Sequence, residues 1–177
     1  MTGVEFRAMK YTKAALALLM MVMTDSGQAD TKTATLKINV TFARPSCNIQ
    51  VPSSYELEAL VPGETGKHHP SLNITWSCKG NTPLKTALTA AIVSGGSEGE
   101  EKVRLITDSR QRTGVTLSLK ENTNGGLIKL TGTENFCSDT EGTTGMRTCT
   151  LTPVTDVSHD SVPGHASATL RFEVGYV

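Results

Sequence analysis

The sequence predicts an all-β sandwich of the immunoglobulin type, and three observations support this fold class. Short segments in which apolar and polar residues alternate recur between turn signals, as the strands of an antiparallel sandwich require. The chain is rich in Thr, Ser, Gly and Val and poor in aromatic residues, a composition that favours strands and turns. No segment has the pattern of a long amphipathic helix, and no change of composition marks a second domain.

The first 29 residues have the features of a secretory signal. Three basic residues precede an apolar run of ten residues, 14–23, and the small-residue pattern Gly27–Ala29 follows. A membrane anchor is the alternative, but ten residues are too few for a bilayer core, which needs about 20. Cleavage after Ala29 would leave 148 of the 177 residues, and both Met1 and Met9 are candidate starts.

The charge of the chain gives no indication of nucleic-acid binding. The 17 basic and 17 acidic residues include three basic and two acidic ones in the predicted signal, which leaves 14 and 15. Neither sign forms a stripe along the sequence, so we expect no nucleic-acid partner.

Ten strands are predicted from alternation between turn signals, and the segment 72–78 is the clearest because it places Leu72, Ile74 and Trp76 on one face. The segment 84–93 is mixed, since its TALTAA run is also compatible with a helical turn. In chain order the predicted strands are 34–42, 48–51, 55–61, 72–78, 84–93, 102–106, 114–119, 127–130, 148–154 and 166–177. Loops rich in turn residues are predicted at 63–70, 94–101, 122–126 and 134–145.

All four cysteines lie behind the predicted signal. An even number of cysteines in an exported chain indicates an oxidising compartment and two disulfides. Three pairings are possible, and we take sequential pairing, Cys47–Cys78 and Cys137–Cys149, as the prediction. A zinc site is the alternative, but such sites usually hold close C-x-x-C pairs, and this sequence has none.

The first predicted strand carries apolar residues on one face only. This face holds Ala34, Leu36, Ile38, Val40 and Phe42, while Thr and other polar residues alternate with them. A terminal segment of this kind is normally loose, and its five apolar side chains need a groove to bury them. Their burial could contribute on the order of 10 kcal/mol before ordering costs. The alternative is an ordinary first strand that completes its own sandwich.

The last predicted strand also alternates and extends to the end of the sequence. Gly164 stands fourteenth from the end, and Tyr176 is the penultimate residue. The apolar face of this strand consists of Ala166, Ala168, Leu170, Phe172, Val174 and Tyr176. This pattern is typical of a long, half-buried final strand.

These features together resemble the disulfide-bearing pilin subunits of the chaperone–usher pathway, such as those of type 1 and P pili. The resemblance covers essentially all of the chain after the signal. It rests on the alternating strand ahead of Cys47, on the spacing of Cys47 and Cys78, and on the final VPGHASATLRFEVGYV with its Gly164 and Tyr176.

The resemblance implies an incomplete immunoglobulin-like sandwich that lacks its last strand. A donor strand from a neighbouring subunit or from a periplasmic chaperone would complete it, beside the C-terminal strand. Assembly at an outer-membrane usher would then produce a head-to-tail fimbria on the cell surface. The implied domains are a signal peptide at 1–29, an N-terminal donor-strand extension at 30–43 and a pilin domain at 44–177.

Carried over by position, the resemblance makes Ala34, Leu36, Ile38, Val40 and Phe42 the donor residues. Many members of the family have a glycine at the position of Val40. The larger side chain predicts a strand that is selective for one neighbour, and hence a minor or adaptor subunit of a heteropolymer that supports adhesion. The second cysteine pair is not general in the family and is expected to tie a loop or hairpin ahead of the last strand.

Other residue combinations give weaker signals, and no catalytic, cofactor-binding or metal site is predicted. Ser158, His159 and Asp160 are consecutive, so they cannot assemble a hydrolase triad. His68-His69 with Glu64 is expected to be a polar turn rather than a metal site. The glycosylation patterns at Asn39 and Asn73 fall in predicted strands, and Trp76 is expected in the core.

Three functional classes remain open. The first is a structural fimbrial subunit. The second is a single-domain receptor-binding subunit of the same kind of fimbria, whose loops around the Cys137–Cys149 pair would contact a host receptor. The third, a secreted β-sandwich enzyme, is not expected because no convergent acid, base and nucleophile can be named.

Overall fold

The computed structural model describes residues 37, 39 and 46–177. The chain divides into two units, residues 1–42 and residues 43–177, and the architecture below is that of the second. The predicted signal and all five predicted donor residues lie outside the described residues. No described segment forms a helix long and apolar enough to cross a membrane.

The described part of the chain forms nine strands and no helix. In chain order the strands are β1 (Cys47–Gln50), β2 (Lys67–His68), β3 (Leu72–Cys78), β4 (Thr86–Ser94), β5 (Gly96–Glu98), β6 (Lys102–Ile106), β7 (Arg112–Glu121), β8 (Met146–Val157) and β9 (Thr169–Tyr176).

The strands form two sheets in which every pairing is antiparallel. The large sheet has the order β1-β3-β8-β7-β6-β5, and β2 pairs with β8 beyond the end of β3. The small sheet consists of β4 and β9. The predicted all-β sandwich is therefore confirmed.

The chain crosses from the small sheet to the large sheet at Gly95, between β4 and β5. Gly95 has a φ of 118°, which side-chain-bearing residues rarely adopt. A Cβ here would lie 2.6 Å from Val103 Cγ2 and 2.9 Å from the Arg104 carbonyl oxygen. Glycine is thus required where β4 passes closely over β6.

A hydrophobic core fills the space between the sheets. Trp76 is buried in it, as expected, and its indole N–H donates a hydrogen bond of 2.8 Å to Thr86 Oγ1. The main cluster consists of Ile74, Trp76, Leu88, Ala90, Val103, Leu119, Ile128, Leu130, Phe136, Cys149 and Leu151. A second, smaller cluster consists of Leu105, Val115 and Val157.

Two predicted strands are absent. The segment 55–61 pairs with no strand; its Leu57 and Leu60 pack on the second cluster, and their spacing of three cannot place both on one face of a strand. The segment 127–130 makes a single bridge, from Leu127 to Lys120. The strand predictions at 72–78 and 102–106 match β3 and β6, and the mixed segment 84–93 is strand, in β4.

His69 is a buried histidine, and burial lowers its pKa. It is 5% exposed, and its Nε2 lies 2.9 Å from Thr155 Oγ1, while its Nδ1 has no hydrogen-bond partner among the described residues. Desolvation is the main cause of the lowered pKa, and the Lys67 charge adds to it. The folded chain therefore favours the neutral ring.

We predict that His69 makes the fold less stable in mild acid. Between its lowered folded pKa and the ordinary value of 6.5, the unfolded chain binds more protons, so the free energy of unfolding falls as the pH drops through this interval. Urea unfolding at pH 7.5 and pH 5 should show a smaller pH effect in His69→Gln than in the parent chain. The exposed His165→Asn is the control and should behave like the parent; equal pH effects in all three would contradict the prediction.

Candidate functional site

The two edges of the small sheet differ in whether another segment pairs with them. One edge of β4 is covered by the segment 131–143, which we call the strap. The other edge of the sheet is β9, and no strand within the described residues pairs with its outer side. Unpaired strand edges are sites where another chain can add a strand.

The strap follows β4 in an antiparallel direction. Bridges join Ala91 to Thr131, Leu88 to Phe136 and Leu84 to Thr143. Leu88 and Phe136 exchange two backbone hydrogen bonds of 3.0 and 2.9 Å, and further bonds run from Gly132 N to Ala90 O and from Asp139 N to Thr86 O. The strap backbone therefore bonds to Thr86, Leu88 and Ala90 on this side of β4.

The Asp139 carboxylate bonds to the backbone amide and the hydroxyl of Thr86 in β4. Its Oδ2 accepts hydrogen bonds from Thr86 N at 2.9 Å and from Thr86 Oγ1 at 2.8 Å. The same oxygen lies 2.7 Å from Arg147 Nε, in an ion pair whose side chains are 15% and 7% exposed. Arg147 Nη2 also donates to the carbonyl oxygens of Leu84 and Thr143. This buried pair joins β4, the strap and β8.

A disulfide also holds the strap. Cys137 in the strap is bonded to Cys149 in β8, and the second disulfide joins Cys47 in β1 to Cys78 in β3, so both predicted pairings are confirmed. Cys137 has a φ of 45°, so the strap departs from strand geometry where the disulfide attaches. The strap is thus held by covalent and ionic contacts where its own backbone is irregular.

The hydrogen-bonding groups of β9 can be assigned to its two sides. Leu88 bonds to the strap, so the pair Leu88–Val174 is a non-hydrogen-bonded pair of the β4–β9 ladder. By the same alternation, the backbone groups of Leu170, Phe172 and Val174 point away from β4. These three residues form what we call the open edge.

The core beside the open edge is incompletely covered. Leu117 lies on β7, between β6 and β8 in the middle of the large sheet, and contacts both core clusters, yet it is partly exposed. A side chain on the inner face of a central strand would be fully buried in a closed sandwich. Ten side chains pack on the main cluster and remain partly exposed, and we call six of them the groove residues: Ile49, Leu72, Leu117, Leu170, Phe172 and Val174.

The end of β9 lies close to β1, the edge strand of the large sheet. The Tyr176 hydroxyl lies 3.2 Å from Cys47 Sγ, and it must be the donor because this sulfur is in a disulfide. This contact joins the end of β9 to the start of β1. Leu170, Phe172 and Val174 face the core, while Thr169, Arg171 and Glu173 are exposed, as in the predicted alternation.

The outer parts of the predicted C-terminal strand differ from its centre. Pairing begins at Thr169, so Ala168 precedes the strand, but it is partly buried and contacts both core clusters. Gly164 is exposed, with a φ of 141°. Tyr176 is 37% exposed.

The structure also places the other residue combinations that the sequence suggests. Ser158 Oγ and Asp160 Oδ1 are hydrogen-bonded, and this contact with the carboxylate lowers the pKa of Asp160. Asn73 is exposed on β3, where its Oδ1 accepts a hydrogen bond from Thr150. Within residues 46–177, no three His, Cys, Asp or Glu side chains are placed to hold a metal ion.

A cavity of about 300 Å³ lies on the large sheet, away from the groove residues. Its charged lining residues are Glu98, Arg104 and Asp156. Asp156 is paired with Lys102 at 2.8 Å, and this hydrogen bond lowers the pKa of the carboxyl group. The mixed charges are thus partly paired within the chain.

Neither the strap nor the Asp139–Arg147 pair is predicted by the sequence pattern. The segment 134–145 has the turn residues of a loop, and nothing in its pattern shows that it pairs with β4. The one available signal was the cysteine at 137, since a disulfide holds its surroundings close to another element.

Comparison with known proteins shows the fold. No family model matches the chain, and no curated protein does. Among solved structures, the chain is similar to a chain of a chaperone-usher pilus whose structure reveals the basis of rod uncoiling, with a TM-score of 0.52, 18% identity and coverage of 82% of this chain and 96% of that one. It is also similar to the P pilus rod subunit PapA, with a TM-score of 0.53, 16% identity and coverage of 74% and 99%. The fold of the chain is therefore that of pilin subunits, an incomplete immunoglobulin-like sandwich.

We predict that Asp139→Ala destabilises the fold by about 3–5 kcal/mol, because it leaves the Arg147 guanidinium buried without its partner. Chemical unfolding measures the loss. The control is Glu173→Ala, which breaks an ion pair with Arg171 whose side chains are 61–64% exposed and should cost no more than about 1 kcal/mol. Equal losses in the two variants would contradict the prediction.

Proposed function

We propose that this chain is a structural subunit of a surface fimbria of the chaperone–usher type, which receives a strand from a neighbouring subunit at the open edge of β9. The observation that carries the proposal is the incomplete sandwich: the open edge offers backbone groups, and the groove residues beside it offer apolar surface. An added strand would form hydrogen bonds with the backbone groups of the open edge and bury the apolar side chains of the groove residues.

The strand that the chain gives to its own neighbour is the segment 34–42. Its five apolar residues, Ala34, Leu36, Ile38, Val40 and Phe42, alternate as the apolar floor of such a groove requires. It directly precedes β1, so one chain carries both a donor strand and an acceptor groove. A contact of this head-to-tail kind propagates into a fibre.

The partners in this proposal follow from the exposed groove. Before assembly, a periplasmic chaperone would cover the open edge and the groove residues, since such a surface otherwise favours aggregation. An outer-membrane usher would exchange the chaperone for the next subunit. The two disulfides suit this oxidising route of export.

Within the fimbria, we propose a minor or adaptor position and a supporting role in cell adhesion. Val40 supports this position because its side chain is larger than the glycine that many related donor strands have, and a larger residue limits the grooves that the strand can enter. A receptor-binding role for the loops near Cys137 is the other candidate, but most of that segment is engaged along β4.

We predict that a peptide spanning Thr33–Ala43 binds the groove of the correct neighbour, and that a neighbour's donor peptide binds this chain. In this chain, Leu170→Ala should weaken binding about tenfold or more, because burying such a side chain contributes about 1.5–3 kcal/mol. Arg171→Ala, on the exposed face of the same strand, is the matched control and should leave the affinity unchanged. Titration calorimetry measures the affinity of each variant for the neighbour's donor peptide. Equal affinities of Leu170→Ala and Arg171→Ala would contradict the acceptor role.

Deleting Asp30–Phe42 separates donation from acceptance. We predict that the shortened chain still binds the chaperone and a donor peptide but no longer enters fibres as a donor. Co-purification with the chaperone and electron microscopy of fibres measure the two properties. Fibres that incorporate the shortened chain as readily as the parent would contradict donation by this segment.

The Val40→Gly peptide tests the minor-subunit position. We predict that this peptide discriminates less than the parent peptide between the neighbour's groove and the groove of this chain itself, because a smaller side chain fits both. The ratio of the two dissociation constants is the measurement. A ratio unchanged by the substitution would contradict a selective role for Val40.

A further inference from the structure

The edge of β4 that the strap covers would be prone to pair with another strand if the strap detached. The stretch of β4 from Thr86 to Val93, TALTAAIV, contains no charged residue and no proline. A short apolar stretch of this kind pairs readily with an identical strand when its edge is exposed. In the folded chain the strap backbone bonds to Thr86, Leu88 and Ala90 along this edge.

The strap is an unusual element to protect such an edge, since it is not a regular strand. Gly132 and Cys137 both have positive φ, at 83° and 45°, so the segment interrupts the geometry of a β-ladder. Its attachment to the rest of the molecule depends on the Cys137–Cys149 disulfide and the Asp139–Arg147 ion pair. Phe136 adds an apolar contact, as it is 6% exposed and lies edge-on to Phe172.

We propose that the strap, locked by the Cys137–Cys149 disulfide, blocks a second strand-pairing site on β4, and that a second copy of this chain occupies that site when the lock is removed. The lock restricts strand addition to β9. The partner is a second copy because an identical TALTAAIV stretch offers the same apolar, uncharged edge to an antiparallel match.

The lock also differs in position from the other disulfide. Cys47–Cys78 joins β1 to β3, and neither cysteine belongs to the strap. Removing it is therefore a matched control, with the same number of cysteines changed and the β4 edge left closed. This inference rests on the proposed function only where it names β9 as the remaining acceptor strand. The closure of β4 is measured separately.

The experiment compares the full chain with two double variants, Cys137→Ala/Cys149→Ala and Cys47→Ala/Cys78→Ala. Amide hydrogen exchange at Leu88 and Phe136 reports whether the strap is in place, and sedimentation at increasing concentration reports association. In the first variant we expect exchange at these two amides to rise at least about tenfold, since the strap then opens locally, and we expect concentration-dependent dimers. The second variant should keep both amides protected.

Adding Val93→Lys to the first variant tests which edge associates. Val93 is 59% exposed at the end of the apolar stretch, so a charge there should prevent pairing between β4 strands without closing the strap. We expect the dimers to disappear while exchange at Leu88 stays fast. Dimers that persist with Val93→Lys would overturn the proposal.

Asp139→Asn provides a second route if the cysteine variant does not fold. It keeps the disulfide and the shape of the side chain but removes the charge opposite Arg147. We expect a smaller rise in exchange at Leu88 and Phe136 than in the cysteine variant. Full protection of these amides in every variant that folds would overturn the proposal that the disulfide holds the strap on β4. Strand acceptance at β9 is tested separately, by the peptide titration.

Discussion

The structure depends on how the backbone hydrogen-bonding groups of a two-stranded sheet are satisfied. Two strands alone have two outer edges, and a buried or half-buried edge must find partners for its N–H and C=O groups. The chain meets this requirement on the β4 side by laying the strap along it and by bonding the Asp139 carboxylate to the amide of Thr86. On the β9 side, the described residues supply no such partner.

This difference between the two edges also explains which parts of the core are buried and which are partly exposed. Where the strap covers β4, Phe136 is buried in the main cluster. Beside β9, side chains that face inward, such as Leu117 and Phe172, keep part of their surface exposed. One missing strand accounts for both the unpaired edge and the exposed apolar surface, which is why a single added strand could satisfy both.

Much of the fold could be predicted from the sequence because alternation marks strands that have one buried face. This holds for β3 and for the centre of β9, where Leu170, Phe172 and Val174 alternate with polar residues. The pattern fails at Leu57 and Leu60, because these residues pack on the second cluster without pairing in a strand ladder. It also fails at Ile128, which bonds to Leu119 near the end of β7 without forming a strand. The strap could not be predicted, since its order comes from contacts distant in sequence, above all Asp139 with Thr86.

Amide exchange along β9 tests the central claim most directly, because neighbouring residues of one strand serve as each other's controls. In the isolated chain without an added strand, the amides of Leu170, Phe172 and Val174 should exchange quickly, while those of Arg171 and Glu173, which point towards β4, should be protected. Binding of a neighbour's donor strand should protect the first three and leave the other two as they were. Open-edge amides that are already protected in the chain without a partner, or that stay unprotected when the donor strand is bound, would contradict the account.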